Sequence, residues 1–435
     1  MTKNLVADAI ELDHDDPFIS LAHLFDMPLD EKGQTAIYLN GNSLGPKPKN
    51  IDAELQKECE NWGRLGVRGH FHQAHPWIVY NERVTHSLAR LVGAKPEEVV
   101  ATGTLTTNLH ATFISFYRPT PTRFKVLRLL GFPSDTYAIA SQVKQRFETL
   151  REFMQVDPFN LDDAIIEIRP DAQGYIDLQA FKNVIAEHGE STAIVWIEAV
   201  HYLTGQYFNI AEITQLAHAA GCKMGVDLAH AIGNVPLALH DWGVDFAVWC
   251  SYKYLSAGPG AIAGLYVHEK HLTDPTMPRL AGWWGHNKLT RFQMPTTFDP
   301  IPTAESWQMS NSGIFLLAAL QRALVVFDTV DYNALREKNQ RLVAYLEQLI
   351  QTELPTDIQI ITPKHPDERG CQLSLRLQHA DKTISLEKIF YQQGIICDVR
   401  DDLVRVAPMG LYTTFLDVFR FVDKLKTICL EVKAS

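Results

Sequence analysis

The chain has 435 residues, of which 46% are hydrophobic, 10% are aromatic and 21% are charged. Its length exceeds the size at which one hydrophobic core usually stops growing, so two domains are expected, and its composition is that of a globular protein. Forty basic and 51 acidic residues give a formal charge of −11. Because no basic run is dense enough to neutralise a row of phosphates, nucleic acid is not an expected partner.

The first residues and the cysteines indicate the compartment. Residues 1–16 carry five acidic side chains and no apolar core, which is unlike a signal peptide. The longest apolar runs, such as 193–197, are too short to span a bilayer. Six cysteines are scattered without a CxxC pair, a pattern that favours free and mostly buried thiols. We therefore expect a cytoplasmic protein that has no membrane partner.

Turn formers and helical patterns alternate in the amino-terminal part. An acidic, weakly patterned segment precedes NGNSLGP at 40–46, which predicts a loop. Helical patterns follow at 51–65 and at 77–92, and the second is expected to stop at Gly93. The segment 65–76 between them is rich in glycine and histidine and predicts another loop.

The centre of the chain alternates short β-rich runs with helical stretches, the clearest of which lie at 136–150 and 210–220. Such alternation predicts an open α/β sheet with helices on both faces. The run at 193–197 is apolar throughout, as expected of a strand that is buried on both sides. The β-rich runs lie at 99–101, 126–130, 193–197, 223–227, 246–249 and 264–267.

The pattern changes after a segment rich in proline and aromatic residues at 282–302. Two long helices are predicted at 314–328 and 332–352, and strand-like runs and closing helices follow. The strand-like runs lie at 358–361, 372–377 and 403–407. This order of elements predicts a separate, smaller α+β domain.

An acid and a lysine follow two of the predicted strands. Asp227 ends the run at 223–227, and the carboxyl ends of strands are where open α/β sheets bind ligands. Twenty-six residues later, Lys253 lies among aromatic and small residues, and a desolvated lysine is a nucleophile toward carbonyls. Together they meet two demands of pyridoxal phosphate (PLP), a carboxylate for the pyridine nitrogen and an amine for a Schiff base.

A third demand is a site for the phosphate. The stretch TGTLTTN at 102–108 opens a predicted helix that continues to Tyr117, so backbone amides and the helix dipole face an anion. Each of these signals alone is common and favours a structural role. Their order and spacing together favour a PLP enzyme.

These residues lie in segments that resemble the kynureninase family, within the aspartate-aminotransferase superfamily of PLP enzymes. The resemblance covers most of the chain, and the combination of its motifs is specific to that family. The segments that carry it are NGNSLG at 40–45, FPSD at 132–135, YLTGQ at 202–206, DLAHA at 227–231, HDWGVD at 240–245, GWWGH at 282–286 and RVAP at 405–408.

The resemblance implies the PLP-dependent transferase fold of fold type I, an α/β fold. Its large domain, expected at 46–310, holds a mostly parallel seven-stranded sheet. A smaller α+β domain is expected from 1–45 and 311–435. The resemblance also implies a homodimer whose active sites are shared between the subunits.

The resemblance assigns five residues to the PLP phosphate. Leu105 gives a backbone donor and Thr106 a hydroxyl. Tyr252 of the same chain completes the site, together with Trp283 and Asn311 of the partner subunit.

The resemblance also assigns the residues around the pyridine ring. Phe132 stacks on the ring, and Ser134 and Asp135 cap the following helix beside the cofactor. Asp227 pairs with the pyridinium nitrogen, and His230 lies near an oxygen or the phosphate of the cofactor.

Further residues are implied at the substrate. Arg405 grips the substrate α-carboxylate, for which its planar fork suits a bidentate contact. His70 lies against the aryl end, where it stacks or bonds to a ring hydroxyl. The other positions implied at the substrate are Ser43, Trp284, His286, Ser310 and Asn311.

The implied reaction is hydrolysis of the Cβ–Cγ bond of L-kynurenine or L-3-hydroxykynurenine, which gives L-alanine and anthranilate or 3-hydroxyanthranilate. It belongs to tryptophan catabolism and NAD biosynthesis. Lys253, once displaced by the substrate amine, carries the proton from Cα, and Tyr252 is the acid–base partner. Another lyase or a desulfurase of the same fold, or a non-catalytic protein of that fold, are the alternatives. The absence of a cysteine in a glycine-flanked loop counts against a desulfurase.

Two positions depart from the family, and one motif invites a metal. Trp284 stands where the family more often has Phe, and Glu198 stands where it usually has a small hydroxyl residue, so the role of Glu198 is open. His70 with Ser310 and Asn311 favours the 3-hydroxylated substrate, whereas Trp284 counts against that preference. Three histidines within 70–75 lack an HExxH motif or a cysteine partner, so no metal is expected.

Overall fold

A computed structural model describes residues 5–18, 20–378, 385–400 and 402–434. Its α-helices are α1 (Leu5–His14), α2 (Ile51–Leu65), α3 (Glu82–Val92), α4 (Leu105–Phe116), α5 (Pro133–Met154), α6 (Leu178–His188), α7 (Ile210–Ala219), α8 (Leu239–Trp242), α9 (Ile314–Asp328), α10 (Tyr332–Glu353), α11 (Leu386–Gln392) and α12 (Phe415–Ala434). Its strands are β1 (Phe25–Asp26), β2 (Ile37–Tyr38), β3 (Lys47–Pro48), β4 (Val99–Ala101), β5 (Lys125–Leu129), β6 (Ile165–Ile168), β7 (Thr192–Glu198), β8 (Lys223–Asp227), β9 (Phe246–Trp249), β10 (Gly264–Val267), β11 (Ile358–Ile360), β12 (Leu373–Leu377), β13 (Ile395–Ile396), β14 (Asp398–Arg400) and β15 (Leu403–Val406).

The predicted seven-stranded, mostly parallel sheet is confirmed. Its strand order is β4-β10-β9-β8-β7-β5-β6, and β10 runs antiparallel to both of its neighbours. Six of the seven strands coincide with predicted runs to within about one residue, and edge strand β6 is the exception. In β6 the apolar run is broken by Glu167, which faces Arg128 of β5 in register and forms an ion pair with it.

Strand β7 is buried along its whole length, as its apolar sequence predicts. Because side chains alternate across a strand, Ile194 and Trp196 enter the core on one face of the sheet, and Val195 and Ile197 enter the core on the other. The sheet is therefore covered on both faces.

The helix predicted at 77–92 is shorter in the structure, where it begins at Glu82. A 3₁₀ turn at Trp77–Val79 precedes α3, and the indole of Trp77 and the hydroxyl of Tyr80 both donate hydrogen bonds to Glu58, at 2.8 and 3.0 Å. Helix α3 ends at Gly93, whose φ of +62° is the left-handed conformation that favours glycine. The predicted stop is confirmed.

The smaller α+β part predicted for the carboxy-terminal region is confirmed by a four-stranded antiparallel sheet of order β11-β12-β15-β14. Amino-terminal segments join it. Strand β2 pairs in parallel with β13, and the Asp13 carboxylate accepts the Phe415 and Leu416 amides at the start of α12, at 2.8 and 2.9 Å. No helix within the described ranges is long and apolar enough to cross a membrane.

Candidate active site

Lys253 lies in the turn after β9. Its Nζ is 2.9 Å from Nε2 of His230 and 6.0 Å from the ring centre of Phe132. The loop at 40–45 packs directly on this turn, because the Gly45 amide donates a hydrogen bond to the Tyr252 carbonyl at 2.8 Å. A Cβ on Gly45 would overlap the Lys253 carbonyl, so this close approach requires glycine.

His230 provides a neutral partner for the lysine. Burial, reinforced by the charge of Lys253, lowers the pKa of His230 well below its ordinary value. A neutral ring whose Nε2 accepts from Lys253 carries its proton on Nδ1. That Nδ1 is buried and has no hydrogen-bond partner among the described residues, so it is a donor suited to an oxygen of a bound molecule.

Three buried carboxylates meet at the ends of the central strands. Oxygens of Asp135, Glu198 and Asp227 lie within 4.8 Å of one another, and Asp135 also accepts the Trp196 indole N–H at 3.0 Å. Burial, then the charges of Asp227 and Glu198, raises the pKa of Asp135 well above its ordinary range. Burial and Glu198 raise the pKa of Asp227 to about 7, although Lys253 opposes the shift. Asp135 therefore keeps its proton and can donate it to Asp227.

Helix α4 begins beside these groups. Gly103 has a φ of +54°, and the Thr104 hydroxyl caps the helix by accepting the Thr107 amide. The first amides of a helix, here those of Leu105 and Thr106, have no partner within the helix and point toward an anion. The Thr106 hydroxyl lies 2.9 Å from that of Ser134, which links the starts of α4 and α5.

The expectation that Ser134 and Asp135 cap α5 is wrong. The residue at the cap position is Phe132, followed by Pro133, and no side chain caps the helix. Ser134 and Asp135 lie inside the first turn, so their side chains turn away from the cap position and bond to Thr106 and Trp196 instead.

Arg405 lies on β15 and is 3% exposed. Its Nη2 is 2.8 Å from Asp398, and its Nη1 donates to the Tyr202 carbonyl at 2.6 Å. A guanidinium has five N–H groups, and a third contact, from Nε to Asp398, uses one more. One N–H on each terminal nitrogen is left, which is the pair that an end-on carboxylate takes.

A second group of predicted residues lies around the loop that follows α2. Ring contacts run from His70 to Phe71, from Phe71 to Phe292 and from Phe292 to Trp283, with ring centres 6.3, 5.6 and 5.3 Å apart. His70 and Asn311 also line one cavity of about 340 Å³. Across the described ranges, no hydrogen bond or ring contact joins this group to Lys253.

Trp284 and His286, which are predicted at the substrate, make their observed contacts within this loop. Both are buried, and the guanidinium of Arg291 covers the Trp284 ring at 4.5 Å. The two ring nitrogens of His286 bond to the Thr290 hydroxyl and the Asp299 amide, at 3.0 and 3.1 Å. Of the remaining predicted positions, Ser310 is exposed and Ser43 is half-buried.

Sequence reasoning missed two partners of Arg405. Asp398 faces Arg405 in the antiparallel register of β14 and β15, which no local pattern reveals. Tyr202 begins the YLTGQ motif, but it acts through its backbone carbonyl, and a backbone contact leaves no signal in residue type.

Similar solved structures define the class of fold. A cysteine desulfurase from Escherichia coli is 16% identical, with a TM-score of 0.72 over 91% of this chain and 95% of that chain. An apo cysteine desulfurase from Thermococcus onnurineus is 14% identical, with a TM-score of 0.73 over 94% and 100%. Such low identity shows the fold alone, and the fold is that of the fold-type-I PLP-dependent enzymes.

Sequence relatives define the family. A family model described as the kynureninase C-terminal domain matches residues 335–425. A kynureninase from Myxococcus xanthus is 48% identical over 96% of both chains, and one from Xanthomonas oryzae is 45% identical over 97% of both. One from Salinispora tropica is 44% identical over 93% of both. The chain belongs to the kynureninase family.

Proposed function

We propose that the protein is a PLP-dependent hydrolase that cleaves the Cβ–Cγ bond of L-kynurenine, L-3-hydroxykynurenine or both. The products are L-alanine and anthranilate or 3-hydroxyanthranilate, in tryptophan catabolism and NAD biosynthesis. The observation that carries the proposal is the convergence of Lys253, His230 and Asp227 at the ends of β8 and β9, in a chain 48% identical to a kynureninase.

The residues at the site fit PLP. The Lys253 amine suits its aldehyde, Asp227 suits its pyridine nitrogen, and the first amides of α4 suit its phosphate. The half-exposed Phe132 ring suits the pyridine plane, and the free Nδ1–H of His230 suits an oxygen. When bound, PLP supplies an electron sink for the negative charge that develops on the substrate carbon.

The protein moves protons with two neighbouring residues. The Lys253 amine would take the proton from the substrate Cα and return it to that carbon in the alanine product, and neutral His230 would hold its Nζ in place. Burial, then the neighbouring Cys250, raises the pKa of Tyr252 above its ordinary value. The phenol therefore stays protonated at neutral pH. Water would add to the γ-carbonyl, and as the Cβ–Cγ bond breaks Tyr252 would protonate the β-carbon and recover its proton from the hydroxyl of that added water.

Arg405 and Asp135 orient the reacting groups. Arg405 offers the substrate carboxylate its two remaining terminal N–H groups, while Asp398 and the Tyr202 carbonyl hold its plane. Asp135 donates to Asp227 and keeps it pointed at the ring nitrogen. The residues proposed around the aryl end of the substrate are His70, Ser43, Ser310 and Asn311. The buried side chains of Trp284 and His286 stabilise the conformation of their own loop.

The chain is proposed to work as a homodimer. Trp283 is 45% exposed and Asn311 is exposed, and exposed apolar side chains surround them. A second copy that covers this surface brings Trp283 and Asn311 to the phosphate of its neighbour. The exposed apolar side chains of this surface are Trp62, which lines a cavity with Asn311, and Phe71 and Phe292, which connect to Trp283 through ring contacts.

We further propose a large domain at 46–310 and a small domain from 1–45 and 311–435, supported by the pairing of β2 with β13. The cytoplasm is the proposed compartment, because all six cysteines are free. The net charge of −11 argues against nucleic acid as a partner.

A desulfurase or lyase is not favoured. Cysteine desulfurases share the fold at 14–16% identity, whereas kynureninases are 44–48% identical over nearly the whole chain. Five of the six cysteines are buried, and the exposed one, Cys59, lies within helix α2.

The test is to incubate the PLP-loaded protein with kynurenine, with 3-hydroxykynurenine and with cysteine, and to measure anthranilate, 3-hydroxyanthranilate, alanine and sulfide. Alanine and an anthranilate in equal amounts are expected. The ratio of kcat/KM for the two aryl substrates determines the preference. Sulfide from cysteine, with no product from either kynurenine, would reverse the assignment.

A further inference from the structure

Glu198 is a buried acid with no part in the chemistry described above. It ends β7 and is the register partner of Asp227 on β8, so both side chains leave the same face of the sheet. The side chain is 5% exposed and shares its surroundings with the carboxylates of Asp135 and Asp227. Burying a further charge beside two acids is costly unless specific contacts stabilise it.

Two backbone amides provide those contacts. Glu198 Oε2 accepts the Tyr202 amide at 2.8 Å, and Oε1 accepts the Phe132 amide at short range. Tyr202 lies in the loop after β7, and Phe132 lies in the turn after β5. Hydrogen bonds to an ionised acceptor are roughly twice as strong as neutral ones. One carboxylate therefore ties together the segments that leave two adjacent strands.

The sequence makes room for this carboxylate. Gly131 precedes Phe132, and a Cβ added there would overlap Glu198 Oε1 and Cδ. The backbone of Gly131 does not have a positive φ, so glycine is needed here for space rather than for conformation.

Both tied segments carry groups of the site. The Phe132 ring lies 6.0 Å from Lys253 Nζ, and the Tyr202 carbonyl holds Arg405 at 2.6 Å. The rings of Phe132 and Tyr202 also meet edge to face, with centres 5.3 Å apart. A shift of the Glu198 carboxylate would therefore move both the Phe132 ring and the Tyr202 carbonyl that holds Arg405.

We propose that Glu198 is a positioning residue of the PLP site. Its carboxylate holds the segments of Phe132 and Tyr202 together through hydrogen bonds to their amides. Its charge adds to that of Asp227 at the ring nitrogen. This inference rests on the proposed binding of PLP. It does not depend on which amino acid the enzyme cleaves.

Two variants distinguish the effect of the Glu198 hydrogen bonds from the effect of its charge. E198Q keeps the shape, removes the charge and turns an amide N–H₂ toward a backbone N–H, so one hydrogen bond is lost. G131A keeps every charge but displaces the carboxylate. The matched control is E98Q, because Glu98 is a buried acid that likewise accepts two backbone amides, those of Lys95 and Glu269, away from the site.

PLP affinity is measured by titrating cofactor-free protein and following the absorption of bound cofactor between about pH 5 and about pH 9, a range that includes the raised pKa of Asp227. The charged and titratable groups that face the site are Asp135, Asp227, His201, His230, Cys250, Tyr252, Lys253, Arg400 and Arg405. We expect E198Q and G131A to weaken binding by at least about tenfold, which corresponds to the loss of one charge-assisted hydrogen bond, and E98Q to bind normally.

The pH profile distinguishes the two variants. Since Glu198 raises the pKa of Asp227, its neutralisation in E198Q should shift the pH below which the weakened binding declines further to a lower value, whereas G131A, which keeps the charge, should shift the profile less. Lower thermal stability with unchanged affinity and an unchanged profile would show a merely structural role and overturn the proposal. If E198Q does not fold, a normal PLP affinity of G131A would by itself overturn the proposal.

The outcome is independent of the proposed reaction. A wild-type protein that binds PLP but does not cleave kynurenine would refute the reaction and leave this test intact. A wild-type protein that does not bind PLP would refute both.

Discussion

Two polar regions of the molecule were predicted to belong to one site, and they differ in how their polar groups are satisfied. Around Lys253, the Nδ1–H of His230 lacks a partner among the described residues, and carboxylates crowd together at the strand ends. In the loop of Trp284 and His286, both ring nitrogens of His286 are already bonded within the chain, and Arg291 covers the Trp284 ring. Of His230 and His286, it is His230 that keeps a ring nitrogen available to a bound molecule, so the contacts of each ring indicate its role better than histidine content does.

Replacement of Lys253 should have the largest effect on the first region. In Lys253→Ala the amine that carries the Cα proton is gone, so kcat should fall by more than about a thousandfold. Release of anthranilate is the measurement, and Lys95→Ala is the control because Lys95 forms an exposed ion pair with Glu269. Turnover within about tenfold of the wild type would contradict the central role of Lys253.

Arg405→Lys should have the next largest effect. Lysine cannot keep both the Asp398 contact and an end-on pair for a carboxylate, so KM should rise by about tenfold to a hundredfold, with a smaller change in kcat. Arg376→Lys on neighbouring strand β12 is a matched control, because Arg376 pairs with Asp402 at a more exposed position. Equal KM values in the two variants would exclude Arg405 from substrate binding.

His286→Gln should act on stability rather than on catalysis. It disturbs two buried hydrogen bonds, so the free energy of unfolding should fall by about 1–2 kcal/mol. Activity of the folded fraction should stay within about threefold, since the ring has no free nitrogen. A large loss of kcat without loss of stability would instead place His286 at the substrate and remove the contrast between the two regions.

The smallest expected effect is a pH dependence of the cofactor-free protein. Burial and Glu198 raise the pKa of Asp227 from 3.8 to about 7, so the folded state holds a proton that the unfolded state has released. The stabilisation that this proton provides is complete below pH 3.8 and is lost as the pH rises through about 7.

Thermal unfolding measured across this pH range tests the direction in which stability changes with pH. The Tm of the wild type should fall more steeply with rising pH than the Tm of Asp227→Asn, in which no carboxyl group titrates at this position. Parallel curves for the two proteins would show that the crowded carboxylates do not cause the dependence.

Much of the fold followed from local pattern. Strands buried on both faces, such as β7 and β8, have continuous apolar sequences that end at a polar residue, so their position and the placement of Asp227 were predictable. Strand β6 was not, because at the sheet edge Glu167 is compatible with a strand only through Arg128 of the neighbouring strand.

The sequence by itself determined the order of elements, the PLP residues that follow strand and helix ends, and the family. The tertiary structure alone decided which polar groups remain unsatisfied. Asp398 faces Arg405 through strand register, and Glu198 meets the Phe132 and Tyr202 amides through the adjacency of β5 and β7 and the turn of the chain after β7. These contacts join residues far apart in the chain, or involve backbone groups common to all residues, so no local pattern encodes them.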